Sequence, residues 1–354
     1  MKSQRFKKVV GGKKITLYTL KNKAAMLCQI TNYGGRIVSL WTKDKNGIFD
    51  DIVLGFDSID AYLNAHEKYF GAAIGRYANR IANGHFAIAE KQFFLAKNNG
   101  NNHLHGGNRG FHAVVWEAKQ ISDTKLILTY LSKDGEEGYA GNVNVQLVYE
   151  ITSDNALKIS YSATTDKTTP INLTHHSFFN LKGAGNGNIE DHFLQIEANF
   201  YLPIDKASIP TGEIASIQHT PFDFKVAKEI GKHISTKNKQ LRFGNGYDHT
   251  FVLNGKGLRN VAKVIEPRFG RTMQVLTDEI GMQFYSGNFL NGKDIGKNNK
   301  PYNCRNAFCL ETQRFPNSPN QDNFPSTLLN SGETYQHICI YKFDVETKED
   351  SSFF

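Results

Sequence analysis

No apolar run in this 354-residue chain is long enough to span a bilayer. The start, Met1-Lys2-Ser3-Gln4-Arg5-Phe6-Lys7-Lys8-Val9-Val10, lacks the apolar core of a secretory signal. Nor is there a C-x-x-C pair among Cys28, Cys304, Cys309 and Cys339, three of which sit in apolar, strand-like surroundings. That pattern reads as free thiols in a reducing compartment. A cytoplasmic protein is expected, with no membrane partner and with the sequon Asn172-Leu173-Thr174 unglycosylated. The net charge of +8 comes from scattered lysines in small clusters such as Lys7-Lys8 and Lys13-Lys14. No basic stripe interleaves with aromatics, so nucleic acid is not an expected partner and a solvated basic surface is.

Helical periodicity is scarce. Asp57 to Tyr69, capped by Asp57 or Ser58, reads as one short helix. Lys225 to Ile234, with Val226, Ile230 and Ile234 four apart, reads as another. The absence of long helices between strands argues against a doubly wound parallel sheet. No repeat, low-complexity segment or linker divides the chain, and one continuous domain over 1–354 is expected. The glycine-rich run Gly183-Ala184-Gly185-Asn186-Gly187 has no helix after it and reads as a loop, so no cofactor motif is found.

What is present is alternation. Val143, Val145, Leu147, Tyr149 and Ile151 take every second position, as do Leu157, Ile159, Tyr161 and Ala163. Such runs are half-buried strands. Further strands are expected at Lys14 to Leu20, Ala25 to Thr31, Leu126 to Leu131, Phe193 to Ala198 and His337 to Phe343. They are separated by turn signals such as Asp44-Lys45-Asn46-Gly47 and Asn98-Asn99-Gly100-Asn101. With 25 Phe, 15 Tyr and 31 Gly but only 2 Trp, the composition also suits a β-rich protein with many turns. The fold class is all-β, an antiparallel sandwich or large barrel.

Six stretches could carry chemistry. In Ile171 to Leu181, adjacent residues of a strand face opposite sides, so only one of His175 and His176 enters a given cavity. An imidazole there suits a general acid, its pKa being easily moved about neutrality. Gly75 to Gly84 holds Arg76, Asn79 and Arg80, suited to hydroxyl or carboxylate recognition, or simply to a surface ion pair. In Asn101 to Gly107, His103 and His105 would share a strand face. The glutamate that a His-x-His metal site needs is missing nearby, and a hydrogen-bonding histidine at a polar ligand is preferred. Asp248 in Gly246 to Phe251 could accept from two hydroxyls, and Gln283 in Gly281 to Asn288 is a neutral donor and acceptor. Glu311 closes the apolar run Ala307 to Leu310, where burial raises a carboxyl's pKa as a general base requires. The bland alternative is an ion pair with Arg314 or Arg305.

These stretches resemble the aldose 1-epimerase (galactose mutarotase) family. The resemblance rests on Gly75-Arg76-Tyr77-Ala78-Asn79-Arg80-Ile81, Leu104-His105-Gly106-Gly107, Asn172 to Leu181, Tyr247-Asp248-His249, Gly287-Asn288-Phe289-Leu290 and Leu310-Glu311-Thr312-Gln313. They stand in the family's order, and the likeness runs from about Lys14 to Phe343. It implies a large antiparallel β-sandwich with a few short helices, the mutarotase-like supersandwich, with an open sugar cleft. It implies an enzyme interconverting the α and β anomers of free aldohexoses, glucose or galactose, without cofactor or metal, acting as a monomer or homodimer. His176 would be the general acid and Glu311 the general base. Asn79, Arg80, His105, Asp248 and Gln283 would hold sugar hydroxyls, Arg80 and His105 near the reacting end. Phe178, where members often carry Tyr, would line the site by its ring alone. The competing readings are a glycoside hydrolase using Asp248 and Glu311 as its carboxylate pair, and a non-catalytic sugar sensor on the same fold.

Overall fold

A computed structural model describes residues 3–346, so residues 1–2 and 347–354 of the expected 1–354 domain lie outside the described residues. Its largest sheet has nine antiparallel strands. In spatial order they are Glu117–Ser122, Lys125–Ser132, Val143–Ile151, Ala156–Thr165, Thr334–Val345, Arg271–Thr277, Arg259–Ile265, Phe193–Ile196 and Lys228–Glu229. The alternating residues set its register. Val145 lies opposite Ala163, Leu147 opposite Tyr161 and Tyr149 opposite Ile159, so one face is continuously apolar.

That face packs against two smaller antiparallel sheets through one shared core. One is Leu17–Lys21, Leu27–Thr31, Arg36–Lys43 and Phe49–Asp51. The other is Ala215–Ser216, Ala198–Tyr201, Asp248–Leu253, Gly281–Tyr285 and Cys309–Gln313. The result is a large β-sandwich. Among the described residues no helix is long and apolar enough to cross a membrane.

Three local expectations change. The strand expected over Phe193 to Ala198 belongs to both layers. Phe193–Ile196 lies in the nine-stranded sheet, and Ala198–Tyr201 begins the five-stranded one, the chain crossing at Glu197. The helix expected over Lys225 to Ile234 does not form. Lys228–Glu229 instead pairs with Phe193–Ile196 and becomes the edge strand of the large sheet, and Ile230–Lys232 makes a single 3₁₀ turn. Val226 is exposed, so the four-residue spacing was not a buried face, and a Cβ on Gly231 would meet the Glu190 backbone at 2.9 Å. A helix forms instead at Lys239–Gly244, where the Asn238 side chain accepts from the Gln240 and Leu241 amides and Asn245 closes the end in the left-handed region. The first expected helix is present but short, Ile59–Leu63, capped by Ser58.

Asn172 of the sequon is fully buried and donates to the Ala78 and Arg314 carbonyls. All four cysteines are unpaired; Cys28, Cys309 and Cys339 are buried and Cys304 is exposed. Gly183 to Gly187 forms a loop with no helix after it.

Candidate active site

Three neighbouring strands of the five-stranded sheet supply the floor of a cleft of about 290 Å³. Thr250, Gln283 and Glu311 are register partners across Asp248–Leu253, Gly281–Tyr285 and Cys309–Gln313, and Asp248 lies two residues before Thr250 on the same face. Gln283 links them. Its Nε2 donates to Asp248 Oδ1 at 2.7 Å, and its Oε1 accepts from the Thr250 hydroxyl at 2.5 Å. Arg80 Nη1 stands 3.9 Å from Asp248 Oδ2, and its Nε donates to Asn99 Oδ1 at 3.0 Å.

His176 comes from the short strand Thr174–His176, which Thr174 ties to Cys309–Gln313 by donating to the Thr312 carbonyl at 2.8 Å. His175 points the other way, into the core, where it contacts Ser177 Oγ and Tyr149 Oη. The His176 ring lies nearly parallel to Phe178 (centroids 4.8 Å, 19°) and to Tyr69 (5.8 Å, 18°). Its Nε2 is 3.5 Å from Glu311 Oε1 and its Nδ1 is 3.5 Å from Cys309 Sγ. Burial drives the proton affinities of these two groups apart. It lowers His176 to about 3, and together with the nearby Asp248 and Glu67 carboxyls it lifts Glu311 well above the usual carboxylate range, against the pull of Arg80. Burial thus disfavours the charged form of both groups and favours a pair that shares one transferable proton. Glu311 pairs with neither expected arginine. Arg305 is taken by Glu190 and Arg314 by Glu279, while Glu311 Oε2 is buried without a hydrogen-bond partner.

Asn79 and His105 face each other across two turns. Both adopt positive φ, 63° and 53°, and the Asn79 amide donates to His105 Nδ1 at 3.1 Å. Gly106 allows this approach, since a Cβ there would sit 1.9 Å from the Gly75 carbonyl oxygen. The shared strand face of His103 and His105 does not exist, because the strand His103–Leu104 stops before His105. His103 is held structurally by the Ala96 carbonyl and Tyr139 Oη.

His105, His176 and Glu311 bring possible metal-ligand atoms within 4.8 Å of one another. The Asn79 amide occupies His105 Nδ1, which places that ring's proton on Nε2. The ring thus offers the cleft a donor, and a metal would have to displace that proton.

Of the residues singled out from sequence, Asn79, Arg80, His105, His176, Asp248, Gln283 and Glu311 all line the cleft. Phe178 does not: it is fully buried and reaches the site only through the His176 ring. Arg76 points away, donating to the Ala140, Gly141 and Ser132 carbonyls, and His249 sits behind Asp248, its Nδ1 accepting the Asp248 amide at 3.1 Å. Sequence reasoning missed Glu67, Tyr69, Asn99, Tyr285 and Phe289, which also line the cleft. The only signal at Glu67 and Tyr69 was their place beside the motif beginning at Gly75, in a stretch read as helix.

Two buried proton carriers beside a cleft lined with polar side chains suit an enzyme that moves protons on small polar molecules. The chain matches the family described as Aldose 1-epimerase over residues 16–342. It is 45% identical over 317 residues to a galactose mutarotase from Bos taurus (89% of this chain, 90% of that one). It is 35% identical over 339 residues to an aldose 1-epimerase from Escherichia coli K12 (95% and 97%). A solved aldose epimerase homologue from C. elegans superposes with a TM-score of 0.86 at 28% identity, covering 94% of this chain and 99% of that one. The chain belongs to the aldose 1-epimerase family. It is an enzyme of the isomerase class acting on carbohydrates, an aldose 1-epimerase; the relatives named here point neither to glycoside hydrolysis nor to an inactive sensor.

Proposed function

We propose that the substrates are free aldohexoses, galactose and glucose first, and that His176 and Glu311 carry the reaction. Glu311 takes the proton from the C1 hydroxyl while His176 protonates the ring oxygen. The C1–O5 bond breaks to give the open-chain aldehyde, rotation about C1–C2 presents its other face, and reclosure with the roles reversed gives the other anomer. No electrons are gained or lost, and the single proton of the pair is returned. Neutral His176 with protonated Glu311, and imidazolium with carboxylate, contain the same number of protons. Sugar hydroxyls donating to Glu311 need only favour the second arrangement for the cycle to begin.

The observation that carries this reading is the 3.5 Å approach of His176 Nε2 to Glu311 Oε1, beside a buried Glu311 Oε2 that has no partner. Asn79, Arg80, His105, Asp248 and Gln283 would hold the hydroxyls, with Phe178 supporting the His176 ring from behind. Galactose is favoured by the mutarotase relatives. We also propose that the chain works as one domain, in the cytoplasm, as a monomer or homodimer, with no nucleic-acid partner.

Polarimetry of freshly dissolved α-D-galactose and α-D-glucose tests the assignment. The protein should speed decay to the same equilibrium rotation, and Glu311→Gln or His176→Asn should lose about 10²–10⁴-fold of that acceleration with an unchanged circular dichroism spectrum. Near wild-type rates in either variant would remove that residue from its role.

A further inference from the structure

Glu67 lines the cleft and has no place in the roles above. It stands on a prepared support. Asp294 grips the segment with both carboxylate oxygens, accepting the His66 and Glu67 amides at 2.9 Å each. Glu67 Oε1 in turn accepts the Tyr69 amide at 2.9 Å. One oxygen is thus fixed to the protein, and the carboxyl is held at the cleft wall with the other oxygen as its remaining acceptor. A side chain held this way before any ligand arrives has little orientation left to lose on binding.

The neighbours give the direction. From Glu311 the floor runs through Gln283 to Asp248 and Arg80. From His176 the wall runs through the parallel Tyr69 ring to Glu67. A pyranose with its C1 hydroxyl at Glu311 and its ring oxygen at His176 has two continuations. C2 and its hydroxyl follow from C1, and C5 with its hydroxymethyl group follows from the ring oxygen. The first leads toward Asp248 and Gln283, the second toward Glu67.

We propose that Glu67 is a specificity-determining residue that accepts a hydrogen bond from the C6 hydroxyl of the bound aldohexose, so that this chain discriminates aldohexoses from their 6-deoxy analogues. The inference rests on the placement of His176 at the ring oxygen and Glu311 at C1. A carboxyl oxygen fixed at the cleft wall is a pre-placed acceptor for a hydroxyl, and losing a buried hydrogen bond of that kind costs about tenfold.

The test is kcat/KM for mutarotation of D-galactose, 6-deoxy-D-galactose and 2-deoxy-D-galactose by the wild type, Glu67→Gln and Glu67→Ala. The wild type should prefer galactose over the 6-deoxy sugar by about tenfold. Glu67→Ala should bring that ratio close to one and leave the penalty for the 2-deoxy sugar in place. Glu67→Gln, which keeps an acceptor for the Tyr69 amide and hence the local fold, should retain part of the preference. Two results would overturn the inference while leaving the epimerase reading intact: an unchanged 6-deoxy penalty in Glu67→Ala, or collapse of the 2-deoxy penalty instead. A wild type that accelerates none of the three sugars would overturn the reading of the cleft, and this inference with it.

Discussion

Glu311 and His176 are displaced in opposite directions by the same leading cause, the removal of water from both. They titrate as a pair. A second proton is added only at acid pH, where His176 at last charges, and the last proton leaves only where Glu311 gives it up. In the roles proposed for them the reaction needs the singly protonated pair, so kcat/KM, corrected for the spontaneous reaction, should be bell-shaped in pH. The carboxyls of Asp248 and Glu67 raise the alkaline limit and Arg80 lowers it. Glu67→Gln removes a negative neighbour when the pH is high enough to ionise it. The Glu311 carboxylate is then less destabilised, and its proton leaves at lower pH. The alkaline limb should therefore move to lower pH. The acid limb should stay, because burial pushes Glu67 itself up to about 7 and it is already neutral there. An unmoved or raised alkaline limb would show that Glu67 does not act on Glu311.

At the scale of elements, the cleft is built from strand register and from loops pinned by buried polar groups. One such pin is an ion pair. Lys297 Nζ bonds Asp51 Oδ2 and the Val53 carbonyl, each at 2.7 Å, tying the loop around residue 297 to the strand Phe49–Asp51. Both partners are buried, so removing one leaves the other uncompensated. Lys297→Met should cost about 3–5 kcal/mol in urea unfolding. Adding Asp51→Asn, which removes the stranded charge but keeps an acceptor for the Leu40 amide, should recover part of that loss.

Elements were also where sequence reading was least secure. Alternation marked Val143–Ile151 and Ala156–Thr165 because every second residue is buried. Arg259–Ile265 escaped notice because a bulge between Asn260 and Ala262 breaks its period. The apolar spacing from Val226 to Ile234 suggested a helix, but an open sheet edge captured the backbone there. The helix Lys239–Gly244 buries few side chains and announced itself only by its caps, Asn238 and Asn245.

At the scale of the whole molecule, the nine-stranded sheet supports the layer that floors the cleft. Tyr341, on the long strand Thr334–Val345, is buried against Phe179 and donates through the sandwich to the Leu310 carbonyl at 2.9 Å, next to Glu311. Tyr341→Ala should open a cavity between the layers and cost about 3–5 kcal/mol. Glu311 should lose its support as well, so kcat should fall in protein that is still folded. Loss of stability with full activity would show that the layers are mechanically independent at this point.

The sequence alone determined the fold class, because a period of two is a local property that each strand carries in its own side chains. It also pointed to residue types that line the cleft, because polar groups set between apolar positions, a carboxylate closing an apolar run and a histidine on one strand face each leave a short local mark. Only the tertiary structure decided that Asn79, Arg80, His105, His176, Asp248, Gln283 and Glu311 share one cleft, that Phe178 stands behind it, and that Glu67 joins them. Those residues are brought together by the docking of strands far apart in the chain, as in the pairing of Thr174–His176 with Ala72–Ile74 and of Gly281–Tyr285 with Cys309–Gln313. The burial that sets the proton affinities of His176 and Glu311 arises only when those layers close over them.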